Sequence, residues 1–125
     1  MNLKEFRENL AKLLESLESE DYRSFVCQGS PFDCEIFIVG SNPATMDKFP
    51  FWEFWDDKKG FNRDEWLIQY ILHREKNKMS LISPTRRAIN EFRKGLNAKS
   101  SKLLETNVCP KQTKTEKELI NYDLN

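Results

Sequence analysis

The sequence predicts an α/β fold in which a parallel central sheet carries helices on its faces. Two features indicate strands: the continuous run Ile36-Phe37-Ile38-Val39 and a second apolar stretch at residues 103–108, "LLETNV". A third indicates helices, because apolar side chains recur at three- and four-residue steps before and between those runs. Strands that alternate with helices close a parallel sheet through crossover connections. The chain is 125 residues long, with no internal repeat, low-complexity tract or linker, so these elements belong to one domain.

Leu3, Phe6, Leu10, Leu13, Leu14 and Leu17 place one apolar stripe on a helix over residues 2–18. Residues 21–34 mix Gly29, Pro31 and polar groups and read as a loop. The 36–39 run has the uninterrupted apolar character of a strand buried on both faces, and is expected to be the first central strand. "KFPFWEFWDDKKGF" is dense in aromatic rings and breakers and reads as an irregular connection. From Asp64 to about Lys76, the spacing of Trp66, Leu67, Tyr70 and Ile71 predicts a second helix. Ser83 and Pro84 suit an N-cap and first helical position, and Ile89, Phe92 and Leu96 continue a third. The 103–108 strand follows. Thr115 and Glu118 form a capping box that opens a last helix.

Apolar residues make up 38% of the chain and charged residues 32%, a balance that folds in water. No run approaches the ~20 apolar residues of a membrane span, and the polar N-terminus lacks an apolar signal segment, so the expected location is cytoplasmic. Cys27, Cys34 and Cys109 show neither CxxC nor Cys/His ligand spacing. Reduced thiols are expected, with no disulfide framework, metal or cofactor. Net charge is zero, but it is unevenly spread. Residues 1–57 carry 5 basic and 12 acidic side chains, whereas residues 76–102 carry 8 basic and 1 acidic. That second stretch (Lys76, Lys78, Arg86, Arg87, Arg93, Lys94, Lys99, Lys102) offers a candidate face for nucleic-acid phosphates.

In a parallel sheet, ligands collect beyond the carboxyl ends of the strands. "VGSNPAT" at residues 39–45 occupies such an end. Gly40 and Ser41 bring backbone close to a ligand, while Pro43 fixes its own φ and biases Asn42 toward an extended conformation, directing the Asn amide. Neither GxxxxGK[ST] nor GxGxxG is present, so no nucleotide-cofactor loop is indicated.

Together, "VGSNPAT", the aromatic "PFWEFW" and the later "LLETNVCPKQT" resemble the uracil-DNA glycosylase superfamily over residues 35–113. The Asn-bearing turn is similar to those of its mismatch-specific and single-strand-selective branches. The resemblance implies that Asn42 positions the water that attacks the sugar. It implies that a ring of the 51–55 cluster, Phe51 or Trp52 among them, stacks on an extruded base, and that Asn107 reads the uracil edge. DNA is the implied partner; a monomer is expected, and the charge run at residues 76–102 offers Arg86 and Arg87 as phosphate contacts.

The reaction needs these residue types. Flipping a base out of a duplex costs a few kcal/mol, and stacking on an aromatic ring returns ~1–3 kcal/mol. An Asn amide donates to uracil O4 and accepts from N3–H, a pattern that cytosine reverses. An Asn cannot take a proton at neutral pH, so Asn42 orients water toward an oxocarbenium-like sugar and contributes by position. The chain departs from the family in one respect. The second motif, a His- or Ser-bearing loop that supports the departing base and inserts into the duplex, has no counterpart, and the one histidine, His73, falls on a predicted helix. The expectation is a shortened base-excision-repair hydrolase of impaired activity. Its alternative is a non-catalytic nucleic-acid-binding or interaction module on the same scaffold.

Overall fold

A computed structural model describes residues 1–15, 22–40, 49–96 and 102–108. Helix α1 (Leu3–Leu13) begins where Asn2 Oδ1 accepts from the Glu5 N–H at 2.8 Å and the Glu5 carboxylate accepts from the Asn2 N–H at 3.4 Å. This reciprocal pairing satisfies amides that have no partner within the helix. Strand β1 (Phe25–Gly29) follows, then a 3-10 turn (Pro31–Asp33) and β2 (Ile36–Gly40). A second 3-10 turn (Phe51–Phe54) leads into β3 (Trp55–Asp56) and β4 (Gly60–Asn62). Helices α2 (Arg63–Lys76) and α3 (Pro84–Gly95) precede β5 (Leu103–Asn107).

The five strands form one sheet in the order β2-β5-β1-β4-β3. The α/β class holds, but the sheet is mixed. Only β2 and β5 run parallel; β1 pairs antiparallel with both β5 and β4, and β3 with β4. β1 lies in the stretch that reads as a loop, because Phe25-Val26-Cys27 is a short apolar run followed at once by breakers. A β3–β4 hairpin replaces the irregular connection. Asp56 Oδ1 accepts from the Lys58 and Lys59 amides at 2.7 and 2.9 Å, and Gly60 closes the turn at φ 89°. β2 is not central among the described strands. It lies at an edge, with Phe37 and Val39 exposed.

Register assigns the side chains to two faces, since successive residues of a strand alternate. Phe25, Cys27, Phe61 and Trp55 share one face with Leu104. Against it packs an aromatic layer: Phe6 of α1 lies 5.9 Å from Phe25 and 5.7 Å from Trp55, and Phe51 lies 5.1 Å from Phe25 and 5.4 Å from Phe61, centroid to centroid. Val26, Ile38 and Glu105 share the other face, beneath α2 and α3. Trp66 and Tyr70 of α2 are buried there and stack at 5.5 Å.

The predicted helix boundaries hold closely for α2 and α3. Ser83 caps α3 by accepting from the Arg86 N–H at 3.1 Å, with Pro84 at the first helical position. α1 ends at Leu13 with Leu14 as its C-cap, short of the predicted residue 18; residues 16–18 and the helix expected from Thr115 lie outside the described residues.

Candidate functional site

The carboxyl ends of β2 and β5 meet at one rung of the parallel ladder, where Gly40 is the register partner of Asn107. The Val108 N–H donates to the Gly40 carbonyl at 2.9 Å and extends that ladder. A β-carbon built at Gly40 would meet Asn107 Oδ1 at 2.7 Å, far inside ordinary contact. The glycine in "IFIVG" therefore lets the Asn107 amide lie against the β2 backbone, in an orientation that a side chain at position 40 would displace. Asn107 is half-buried and Gly40 exposed. Ser41 and Asn42, which the sequence assigns to the same place, lie outside the described residues.

The aromatic segment is placed differently from the expectation. Phe51 is 2% exposed, and Tyr22, Phe25, Trp52 and Phe61 surround it at 4.6–6.0 Å. Its ring is part of the core, not a platform for a base. Trp52 is half-buried; its Nε1–H donates to the Tyr22 hydroxyl at 2.7 Å and the Arg7 guanidinium lies 5.7 Å above the ring. Both rings pack on the Phe25–Phe61 face, whereas Asn107 is two residues along β5 from Glu105 and shares the opposite face. The structure thus joins Gly40 with Asn107 and does not join either to Phe51 or Trp52.

Arg86 is also a correction. It is 6% exposed, and its guanidinium turns inward to bond the Glu105 carboxylate and lies 4.9 Å over the Trp66 ring. A side chain so engaged does not present its charge to a phosphate backbone in solvent. Arg93 is buried likewise, with Nη1 donating to Glu105 Oε2 at 3.4 Å. Lys94 pairs with Glu91 and Lys102 with Glu35. Arg87, Lys76 and Lys78 remain exposed on the surface. The predicted basic face therefore divides into exposed cations and an internal cluster.

That cluster was not legible as a site. Arg63 at the start of α2, Arg86 and Arg93 of α3, and Glu105 of β5 converge, each 6–8% exposed. Burial, then the neighbouring Arg93, lowers the Arg63 pKa, with Glu105 opposing. Burial also lowers the Arg93 pKa; Glu105 opposes it and Arg86 reinforces it. The available signal was a single acidic residue inside the apolar "LLETN" run, facing a helix whose arginines at 86 and 93 repeat after two turns. Glu105 precedes Asn107 by two residues at about 3.3 Å each, so the cluster lies one pleat from the Gly40–Asn107 rung.

His73 stays on α2, where its ring meets Phe49 edge-on at 5.4 Å. Among the described residues no helix is long and apolar enough to cross a membrane, and no group of three or more His, Cys, Asp or Glu side chains could hold a metal ion. No protein-family model, curated protein or solved structure matches the chain.

Proposed function

We propose that the chain is a uracil-DNA-glycosylase-like domain that recognises an extruded nucleobase at the carboxyl ends of β2 and β5. The observation that carries this reading is the Gly40–Asn107 rung, where an Asn amide occupies the space of a missing side chain beside the strand that leads into "SNPAT". Asn107 is the base-reading group: its amide N–H meets uracil O4 and its oxygen accepts from N3–H, and a base with the reverse pattern leaves these groups unpaired. Asn42 orients the attacking water. The C1′–N1 bond breaks with its electron pair leaving on the uracil, and the sugar left behind is an oxocarbenium-like cation that the water captures, so the chemistry asks this residue for position, not basicity. The exposed Arg87 supplies a contact to the phosphate backbone.

Two measurements on single-stranded oligonucleotides test the proposal. The first compares binding of a strand containing one deoxyuridine with that of the same strand containing deoxycytidine. The proposal expects the uracil strand to bind more tightly, by about tenfold, and Asn107→Ala to remove the difference. Equal binding of the two strands by the unmodified chain rejects it. The second measures abasic-site formation at high protein excess. Release abolished by Asn42→Ala identifies a glycosylase, and discriminating binding without release identifies the non-catalytic base-binding module.

A further inference from the structure

We propose that the Arg63–Arg86–Arg93 cluster is a receptor for a phosphate-class oxyanion, with Glu105 as the internal anion that holds part of it. Among the described residues three guanidinium groups face one carboxylate, and all four side chains are at least nine-tenths buried. A guanidinium stays protonated in a protein, so the excess of Arg63 and Arg86 over the single Glu105 carboxylate is not relieved by losing a proton. Burying it is unfavourable unless further anion or hydrogen-bond acceptor is supplied.

The geometry shows which donors remain. Arg86 Nη1 bonds Glu105 Oε1 and Arg93 Nη1 bonds Oε2. Arg63 Nε approaches Oε2 only to 3.7 Å, an electrostatic contact beyond hydrogen-bond distance. Nε of Arg63 and Nε of Arg86 are both buried and have no hydrogen-bond acceptor among the described residues. Arg93 makes further contacts of its own, so the inference rests on Arg63 and Arg86. A carboxylate has two oxygens, and here both are engaged. An oxyanion with three or four oxygens is the chemistry that accepts N–H donors from several guanidinium planes at once. A lash serving only to fix β5 against the helices would need one arginine for the one carboxylate, yet Arg63 and Arg86 both face it with an Nε donor to spare. Burial, and after it the repulsion from neighbouring guanidinium groups, lowers the pKa of Arg63 and Arg93, and a bound anion would offset both. The inference does not depend on the base-recognition reading, although the two places are one pleat apart.

The experiment is calorimetric titration of the full chain with inorganic phosphate, in a chloride background of matched ionic strength. The proposal expects saturable binding. In Arg63→Met, which keeps the unbranched apolar stem without the guanidinium, the dissociation constant rises by about tenfold or more. In Glu105→Gln the competing charge is gone, and phosphate binds more tightly than to the unmodified chain. Far-UV circular dichroism establishes that each variant is folded; if Arg63→Met is not, the unmodified chain and Glu105→Gln still decide. No saturable binding by the unmodified chain overturns the proposal, as does a dissociation constant that Glu105→Gln leaves unchanged. Deoxyuridine 5′-monophosphate distinguishes the sources: tighter binding than phosphate identifies a nucleotide's phosphate, and equal binding identifies the free ion.

Discussion

Gly40 and Asn107 face each other across the last rung of the β2–β5 pair, with the Asn107 carboxamide oxygen 2.7 Å from where a Gly40 methyl group would stand. The colliding atom is the far end of a side chain, so an added methyl group displaces the amide and leaves the backbone in place. Gly40→Ala is therefore expected to change stability by less than about 1 kcal/mol while removing discrimination for uracil as fully as Asn107→Ala does. Thermal unfolding and the two-strand binding comparison read the two effects separately. A Gly40→Ala chain that still prefers uracil would show that the amide orientation is not what reads the base.

Arg86 and Arg87 are adjacent in sequence and opposite in role. Arg86→Ala removes a buried partner of Glu105 and one of the two guanidinium groups over the Trp66 ring, an expected loss on the order of 2–4 kcal/mol in urea unfolding. Arg87 is exposed, and Arg87→Ala is expected to stay within about 0.5 kcal/mol of the unmodified chain. On duplex DNA the same Arg87→Ala should lower the slope of log affinity against log salt by ~0.9, the loss of one phosphate contact. An unaltered salt slope would remove Arg87 from the DNA surface.

The β3–β4 hairpin depends on Gly60. Its φ is 89°, and an added β-carbon would lie 2.2 Å from the Gly29 carbonyl oxygen, a backbone atom with nowhere to move. Gly60→Ala combines left-handed strain of about 1–3 kcal/mol with that collision. A total loss of about 3 kcal/mol or more is expected in chemical denaturation. Gly95 is the internal control, since nothing lies within 4 Å of its added β-carbon.

Stability should fall at alkaline pH. Burial pushes the Cys27 thiol well above its ordinary value of 9.0, with Cys34 adding to the effect, and burial also raises the Tyr22 hydroxyl above 10.0. Both groups are neutral when protonated, so folding favours the protonated form. Their contribution is complete below pH 9.0, where folded and unfolded chains are protonated alike. It is lost as pH rises past that point, because the unfolded chain releases protons that the folded chain retains. Urea unfolding from about pH 7 to 10.5 should show a decline that begins near pH 9, and Cys27→Val should flatten its first part. A free energy that does not fall over that range would contradict the burial of both groups.

The sequence was informative where one local rule decided the outcome. Ser83-Pro84 set the start of α3, the apolar spacing set α2, and the "IFIVG" and "LLETN" runs set the two parallel strands. Properties that depend on distant partners were not legible. β1 reads as a loop because Val26 and Cys27 become strand residues only through Leu104 and Glu105. Phe51 and Arg86 have the chemistry of a ligand surface, yet burial assigns one to the core and the other to an ion cluster. Composition cannot reveal that choice, because an aromatic ring or a guanidinium has the same letter in either setting. Gly40 was readable as a place of close approach to the backbone. That Asn107 fills the space follows only from the register.

The strand order has a consequence for how the chain acquires its shape during synthesis. β5 is the last described strand to be made, and it lies between β2 and β1, which have no ladder to each other. Until Leu103–Asn107 emerges, the described strands comprise an antiparallel β1–β4–β3 sheet and a β2 that lacks its one ladder partner among them. Closing the sheet then joins Ile36 to Leu103 across most of the chain, a contact whose loop entropy must be met before any pairing rewards it. This places the slow step, and the interval of greatest exposure to aggregation, at the arrival of one five-residue strand. A chaperone that retains the nascent chain should therefore bind the β2 segment and release it once β5 is in place.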